Sequence, residues 1–144
     1  MNNRCSSPGQ EVPMHILKKY VVFDAADIDR EATFWASILG GTVGNVENFD
    51  PGSWRDVIVD GQVALAVQHA PDHQAPNWPP RDDADQRQQA HYDLIVERDA
   101  VEAAKEEALG LGATLLREAP DTTVGHGFHV FADPEGHPFC ICWG

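Results

Sequence analysis

Apolar and polar positions alternate with a period of two in several short stretches of this chain, and the pattern switches to a helical period twice. "ILKKYVVF" (16–23) is rich in β-branched and aromatic residues and predicts a strand. Ile28, Ala32, Trp35 and Leu39 then recur at helical spacing behind Asp27, a residue suited to capping a helix start. Gly40-Gly41 predicts the end of that helix. "TVGNVENF" (42–49), "WRDVIVD" (54–60) and "QVALAVQ" (62–68) predict three strands separated by turn residues. The same order returns after residue 90. It runs through a strand "HYDLIVE" (91–97), a helix over about 99–111, and the strands "ATLLRE" (113–118), "FHVFAD" (128–133) and "HPFCICW" (137–143).

The return is in register. "LGGTV" at 39–43 and "LGATL" at 111–115 lie 72 residues apart (111 − 39), as do Asp27 and Asp99 (99 − 27), and 72 is half of the 144 residues. A duplicated β-α-β-β-β unit follows, with modules at 15–68 and 91–144. Between them "HAPDHQAPNWPPRDDADQRQQA" (69–90) is rich in proline and charge, so it predicts a linker crossing the surface. The polar stretch 1–14 lacks the apolar run of a secretory signal and predicts a flexible tail.

Alternation also sorts side chains by face. Phe139, Ile141 and Trp143 share one face of the last strand, with Cys140 and Cys142 opposite. Val63, Leu65 and Val67 oppose Ala64, Ala66 and Gln68, and Tyr92, Leu94 and Val96 oppose His91, Asp93 and Ile95. The bulky faces are expected to pack on the helices. The small and polar faces are expected to line a concavity near Lys19, Gln68, His91 and Cys140, positions related in pairs by the 72-residue repeat. Phe23, Trp54 and Trp78 are expected nearby as aromatic contacts for a ligand, although Trp78, flanked by proline, equally suits packing the linker down.

Composition narrows the classes. An apolar share of 42% and a charged share of 23% fit one globular domain over 15–144. A net charge of −13 repels nucleic acid and anionic membranes, and no apolar run nears the roughly 20 residues that span a bilayer. Three cysteines, two of them separated by one residue, point to a reducing, cytoplasmic setting. His126, His129 and His137 sit in loop and turn contexts and read as exposed or turn-packing.

The segments "VVFDAADIDREATFWASILGG" (21–41), "WPPRDDADQRQQAHYDLIVE" (78–97) and "FADPEGHPFCICW" (131–143) resemble the vicinal oxygen chelate superfamily. The likeness is to its glyoxalase-like (glyoxalase, bleomycin resistance, dioxygenase) branch and covers nearly the whole chain from about residue 16. It implies an α+β fold in which two βαβββ modules form curved mixed sheets around a central cleft, and it implies a homodimer. In metal-dependent members the first and last strands of each module supply His, Gln or Glu ligands. By motif those positions are here Lys19 (or its neighbour Tyr20), Gln68, His91 and Cys140. Only His91 is a conventional ligand, and a lysine repels a cation, so the resemblance implies a degraded metal site with no cofactor or a remodelled divalent metal. Cys140, Cys142 and His91 also suggest a thiolate–imidazole zinc site, and Cys140 with His91 a nucleophile–base pair. The expected function is binding of a small oxygenated metabolite in a cleft. The alternative is a divalent-metal-dependent lyase, isomerase or dioxygenase, with His91 as ligand or general base assisted by Asp93.

Overall fold

The computed structural model describes residues 15, 17–45, 50–80 and 90–144. The tail expected at 1–14, residues 46–49 of the strand predicted at 42–49 and residues 81–89 of the linker lie outside the described residues. The first module comprises β1 (Val21–Ala25), α1 (Ile28–Leu39), β2 (Thr42–Gly44), β3 (Trp54–Val59) and β4 (Gln62–His69). The second comprises β5 (Tyr92–Ile95), α2 (Val101–Gly110), β6 (Thr114–Arg117), β7 (Gly127–Ala132) and β8 (Pro138–Trp143). Each module is therefore βαβββ, and the fold is α+β.

Local chemistry explains the helix limits. The Asp27 side chain accepts a hydrogen bond from the Arg30 backbone N–H at 3.0 Å, satisfying one of the orphan donors of α1. Gly40 ends the helix at φ 68°, a left-handed conformation that costs glycine nothing and other residues more. β1 starts later than the predicted residue 16 because its parallel ladder with β4 begins at Val21↔Leu65.

The strands form two four-stranded mixed sheets, ordered β1-β4-β3-β2 and β5-β8-β7-β6. In each, the first and last strands of the module pair in parallel, and the rest are antiparallel. The two sheets do not close into one, and among the described residues no strand of one pairs with a strand of the other. What joins the modules is α1. Phe34 and Trp35 share one apolar cluster with Leu65 and Val67 of the first sheet and with Phe131, Phe139 and Ile141 of the second. The Trp35 ring lies 5.3 Å from Tyr92 and 5.4 Å from Phe139, so a helix of module one is roofed by the sheet of module two. Burying each such side chain contributes about 1.5–3 kcal/mol. Bulky faces point inward as predicted, and on the opposite, more open faces Val22, Ile95 and Phe128 are exposed while Ala66, Val130 and Cys140 are buried. No described helix is long and apolar enough to cross a membrane.

Candidate functional site

On the second sheet, β5 and β8 run side by side with Asp93 opposite Cys140 and Ile95 opposite Cys142. The pairing puts His91, Asp93, Cys140 and Cys142 on the open face, while Tyr92, Phe139 and Ile141 turn to the core. The His91 Nε2 lies 3.2 Å from Asp93 Oδ1. One ligand-capable atom from each of His91, Asp93 and Cys140 falls within 4.8 Å of the others. Trp78, from the first part of the linker, stacks on the His91 ring at 5.1 Å and 24°. Burial pushes the Cys140 thiol up to about 12, helped by Cys142 and Asp93, and burial pushes Cys142 up to about 11 with Asp93 adding to it. Both sulfurs are therefore protonated near neutrality, which suits a weak hydrogen-bond donor and not a thiolate nucleophile.

The first sheet presents a second polar face. Asp24 pairs with Gln68, and Gln68 faces Trp54 across β3–β4. The Trp54 indole N–H donates to Asp56 Oδ1 at 2.9 Å, holding the ring along the strand. Lys19 is not with Gln68. It lines a hollow of about 470 Å³ with Leu17, Lys18, Tyr20 and the β3–β4 turn at Gly61–Val63. Six residue steps along β4 separate Gln62 from Gln68, which amounts to roughly 20 Å of strand. Phe23 faces the other way, against Trp35 at 5.5 Å and Tyr92 at 5.8 Å, and serves packing.

The four positions carried over from the resemblance thus do not converge: Lys19 lies by the start of β4, Gln68 near its end, and His91 and Cys140 on the other sheet with β5 and β8. As a metal site they do not fit: a lysine and a protonated thiol replace two ligands. His91, Asp93 and Cys140 form a different, local trio.

A third cluster went unread in the sequence as a site. Asp133 opens the "DPEG" turn, and its Oδ1 accepts from the backbone N–H groups of Glu135 at 3.0 Å and His137 at 2.8 Å. Its Oδ2 accepts from the Trp35 indole at 2.9 Å, and the same indole reaches Glu31 Oε1 at 3.1 Å. Burial pushes Glu31 up to about 10, and neighbouring Asp133 adds to the shift, so this carboxyl is protonated at neutral pH. Glu135 reaches across to module one and accepts from Ala26 N at 3.1 Å, Asp27 N at 2.9 Å and Arg30 Nη2 at 3.1 Å. Burial opposes its ionisation, but these donors prevail and hold it below the usual carboxylate range. His137 lies between Phe23 (4.7 Å) and His73 (4.8 Å), its Nε2 2.7 Å from the Asp24 carbonyl. The spacing Glu31-x-x-x-Trp35, one helical turn on the apolar stripe, was the available signal. His129 also departs from expectation: it is fully buried, its Nδ1 accepting from Ala119 N at 2.9 Å, because β7 turns it to the core side.

A family model described as a glyoxalase-like domain matches residues 20–142. No curated protein matches. Among solved structures, a complex of a variant of the fosfomycin resistance protein FosX from Listeria monocytogenes with Mn(II) and 1S,2S-dihydroxypropylphosphonic acid superposes with a TM-score of 0.65 at 14% identity, covering 91% of this chain and 94% of that one. A glyoxalase/bleomycin resistance protein/dioxygenase family enzyme from Burkholderia phytofirmans gives 0.61 at 19% identity, covering 85% and 94%. Hypothetical protein SA1046 from S. aureus gives 0.62 at 17%, covering 91% and 96%. At these identities the likeness establishes the fold.

Proposed function

The chain belongs to the glyoxalase-like family of the vicinal oxygen chelate superfamily, and we propose that it binds a small oxygenated metabolite on the open face of the second sheet without a resident metal. The observation that carries this reading is the convergence of His91, Asp93 and Cys140, with the ring of Trp78 stacked on His91. An imidazole beside a carboxylate accepts or donates a proton at a ligand hydroxyl, the neutral thiol of Cys140 donates, and Trp78 covers an apolar flank. Gln68 and Trp54 offer a matching amide and indole on the other sheet. A homodimer that sets the first sheet of one protomer against the second sheet of its partner would join the two sets, and the exposed Val22, Ile95 and Phe128 give that contact apolar area. The free thiols of Cys140 and Cys142 suit a cytoplasmic setting.

The local trio favours one second reading, a divalent-metal-dependent lyase, isomerase or dioxygenase with the ion held by His91, Asp93 and Cys140. One experiment separates the two. Chelator-treated protein is screened calorimetrically against hydroxy acids, phosphonates and other oxygenated metabolites, with and without Mn²⁺. Binding that needs no metal and falls at least tenfold in His91→Ala supports the first reading. Binding that appears only with Mn²⁺ replaces it with the second, and hits indifferent to His91 and Asp93 sink both.

A further inference from the structure

The seam between the modules holds a group of residues that the open-face reading does not use. Glu31 is fully buried, Asp133 is 3% exposed, and one ligand-capable atom from each of Glu31, Asp133 and His137 lies within 4.8 Å of the others. Two carboxyls brought together out of water require a proton, a cationic side chain or a metal ion between them. The nearby guanidinium of Arg30 bonds Glu135, and among the described residues no ion pair reaches Glu31 or Asp133. The Trp35 indole carries one hydrogen for the two carboxyls and leaves Glu31 Oε2 buried without a partner.

His137 supplies the complementary feature. Its Nε2 meets a backbone carbonyl, which only accepts, so Nε2 carries a hydrogen and Nδ1 is the nitrogen left to hold a metal ion. An imidazole donating to a carbonyl through one nitrogen while the other stays free is the usual outer-shell arrangement of a metal-ligating histidine. Stacking between Phe23 and His73 fixes the plane of the ring. A hollow of about 380 Å³, lined by Asp24, Asp72 and His73 among others, lies on the His73 side of the stacked rings, and its acidic residues attract cations to that side.

We propose that Glu31, Asp133 and His137 form a site for one first-row divalent cation of the zinc type, lodged between the two modules and separate from the open faces. Imidazole with two carboxylates is a donor set that zinc accepts. Because Glu31 belongs to α1 and Asp133 and His137 to the β7–β8 turn, the ion clamps module one to module two. Its role is structural.

The test is zinc titration by calorimetry on full-length, chelator-treated His91→Ala protein, which removes the imidazole of the open-face trio. The expected result is one zinc per chain and a melting temperature that rises with zinc. Adding Glu31→Gln, which retains an acceptor for the Trp35 indole, is expected to weaken binding at least tenfold. Adding His137→Gln is expected to do the same in protein whose circular dichroism is unchanged. Absence of zinc binding at millimolar metal would overturn the proposal and leave a shared proton between the carboxyls. Binding that neither substitution weakens would overturn it as well, by locating the ion elsewhere.

Discussion

His91 and Asp93 stand exposed on the open face of the second sheet, whereas His137, Glu31 and Asp133 lie in the seam where α1 meets the β7–β8 turn. The residue types are nearly the same in the two clusters, and burial divides their consequences. At the open face a His91–Asp93 contact of 3.2 Å is screened by water and left available to a ligand. In the seam the same chemistry is withdrawn from solvent, so each donor and acceptor becomes a constraint on how the modules fit. The family likeness directs attention to the first cluster. Three buried side-chain hydrogen bonds lie in the second.

The sharpest separation comes from truncating one tryptophan at each place. Trp35→Ala removes a fully buried ring shared by both modules and the one indole hydrogen that serves Glu31 and Asp133. Its expected cost is about 3–5 kcal/mol in urea denaturation. Trp78→Ala removes a half-buried linker ring stacked on His91, with an expected cost of no more than about 1.5 kcal/mol. Equal losses for the two variants would erase the distinction drawn between seam and face.

Glu135 comes next. Its carboxylate accepts two backbone N–H groups at the entrance to α1 and pairs with Arg30. Glu135→Ala should lose about 2–3 kcal/mol, because charged hydrogen bonds are severed and a helix start loses an anion. The sign of the pH effect follows from its depressed pKa. The contribution is present above the usual carboxylate range and disappears as pH falls through the folded value. Acid unfolding of the wild type should therefore be steeper than that of Glu135→Gln.

How far the sequence revealed these places differs for the same reason. Both modules, both helices and the inward faces of β4, β5 and β8 were legible, because periodicity and the 72-residue repeat report directly on burial. Gln68 could be set on the small, polar face of its strand by alternation, and Trp54, expected nearby, is its cross-strand partner. Lys19 could not be set with them, since the first strand begins at Val21 and the repeat says nothing of where a ladder starts. Phe23 was expected beside the ligand, yet it is drawn into the seam by Trp35 and His137. The seam itself was invisible for a deeper reason. Its members come from α1, β1 and a turn more than ninety residues later, and they meet only because one module roofs the helix of the other.

Glu31 gives a smaller but distinctive signature. In chelator, its raised pKa means the folded protein holds a proton that the unfolded chain gives up. The associated stability is fully present below about 4.5 and is lost as pH rises toward about 10. The slope should reach at most about 1.4 kcal/mol per pH unit, and Glu31→Gln should flatten it. This opposes the trend set by Glu135, so stability should peak in mildly acidic solution. Parallel pH profiles for wild type and Glu31→Gln between about pH 5 and pH 9 would mean that the carboxyl is not held protonated in the folded state.

The smallest effect is expected where function is proposed. His91→Ala forfeits a stacking contact with Trp78 and a water-screened contact with Asp93, and the strand pairs around it through its backbone. Neither contact is worth much in the open, so the loss should stay under about 1 kcal/mol in denaturant. Side chains at a binding face are selected for what they offer a ligand, and their contribution to folding is correspondingly free to be slight. A loss of 3 kcal/mol or more, on the scale of about that expected for Trp35→Ala, would show that the open face is a structural corner of the second module. The ligand site would then have to be sought on the first sheet, around Gln68 and Trp54.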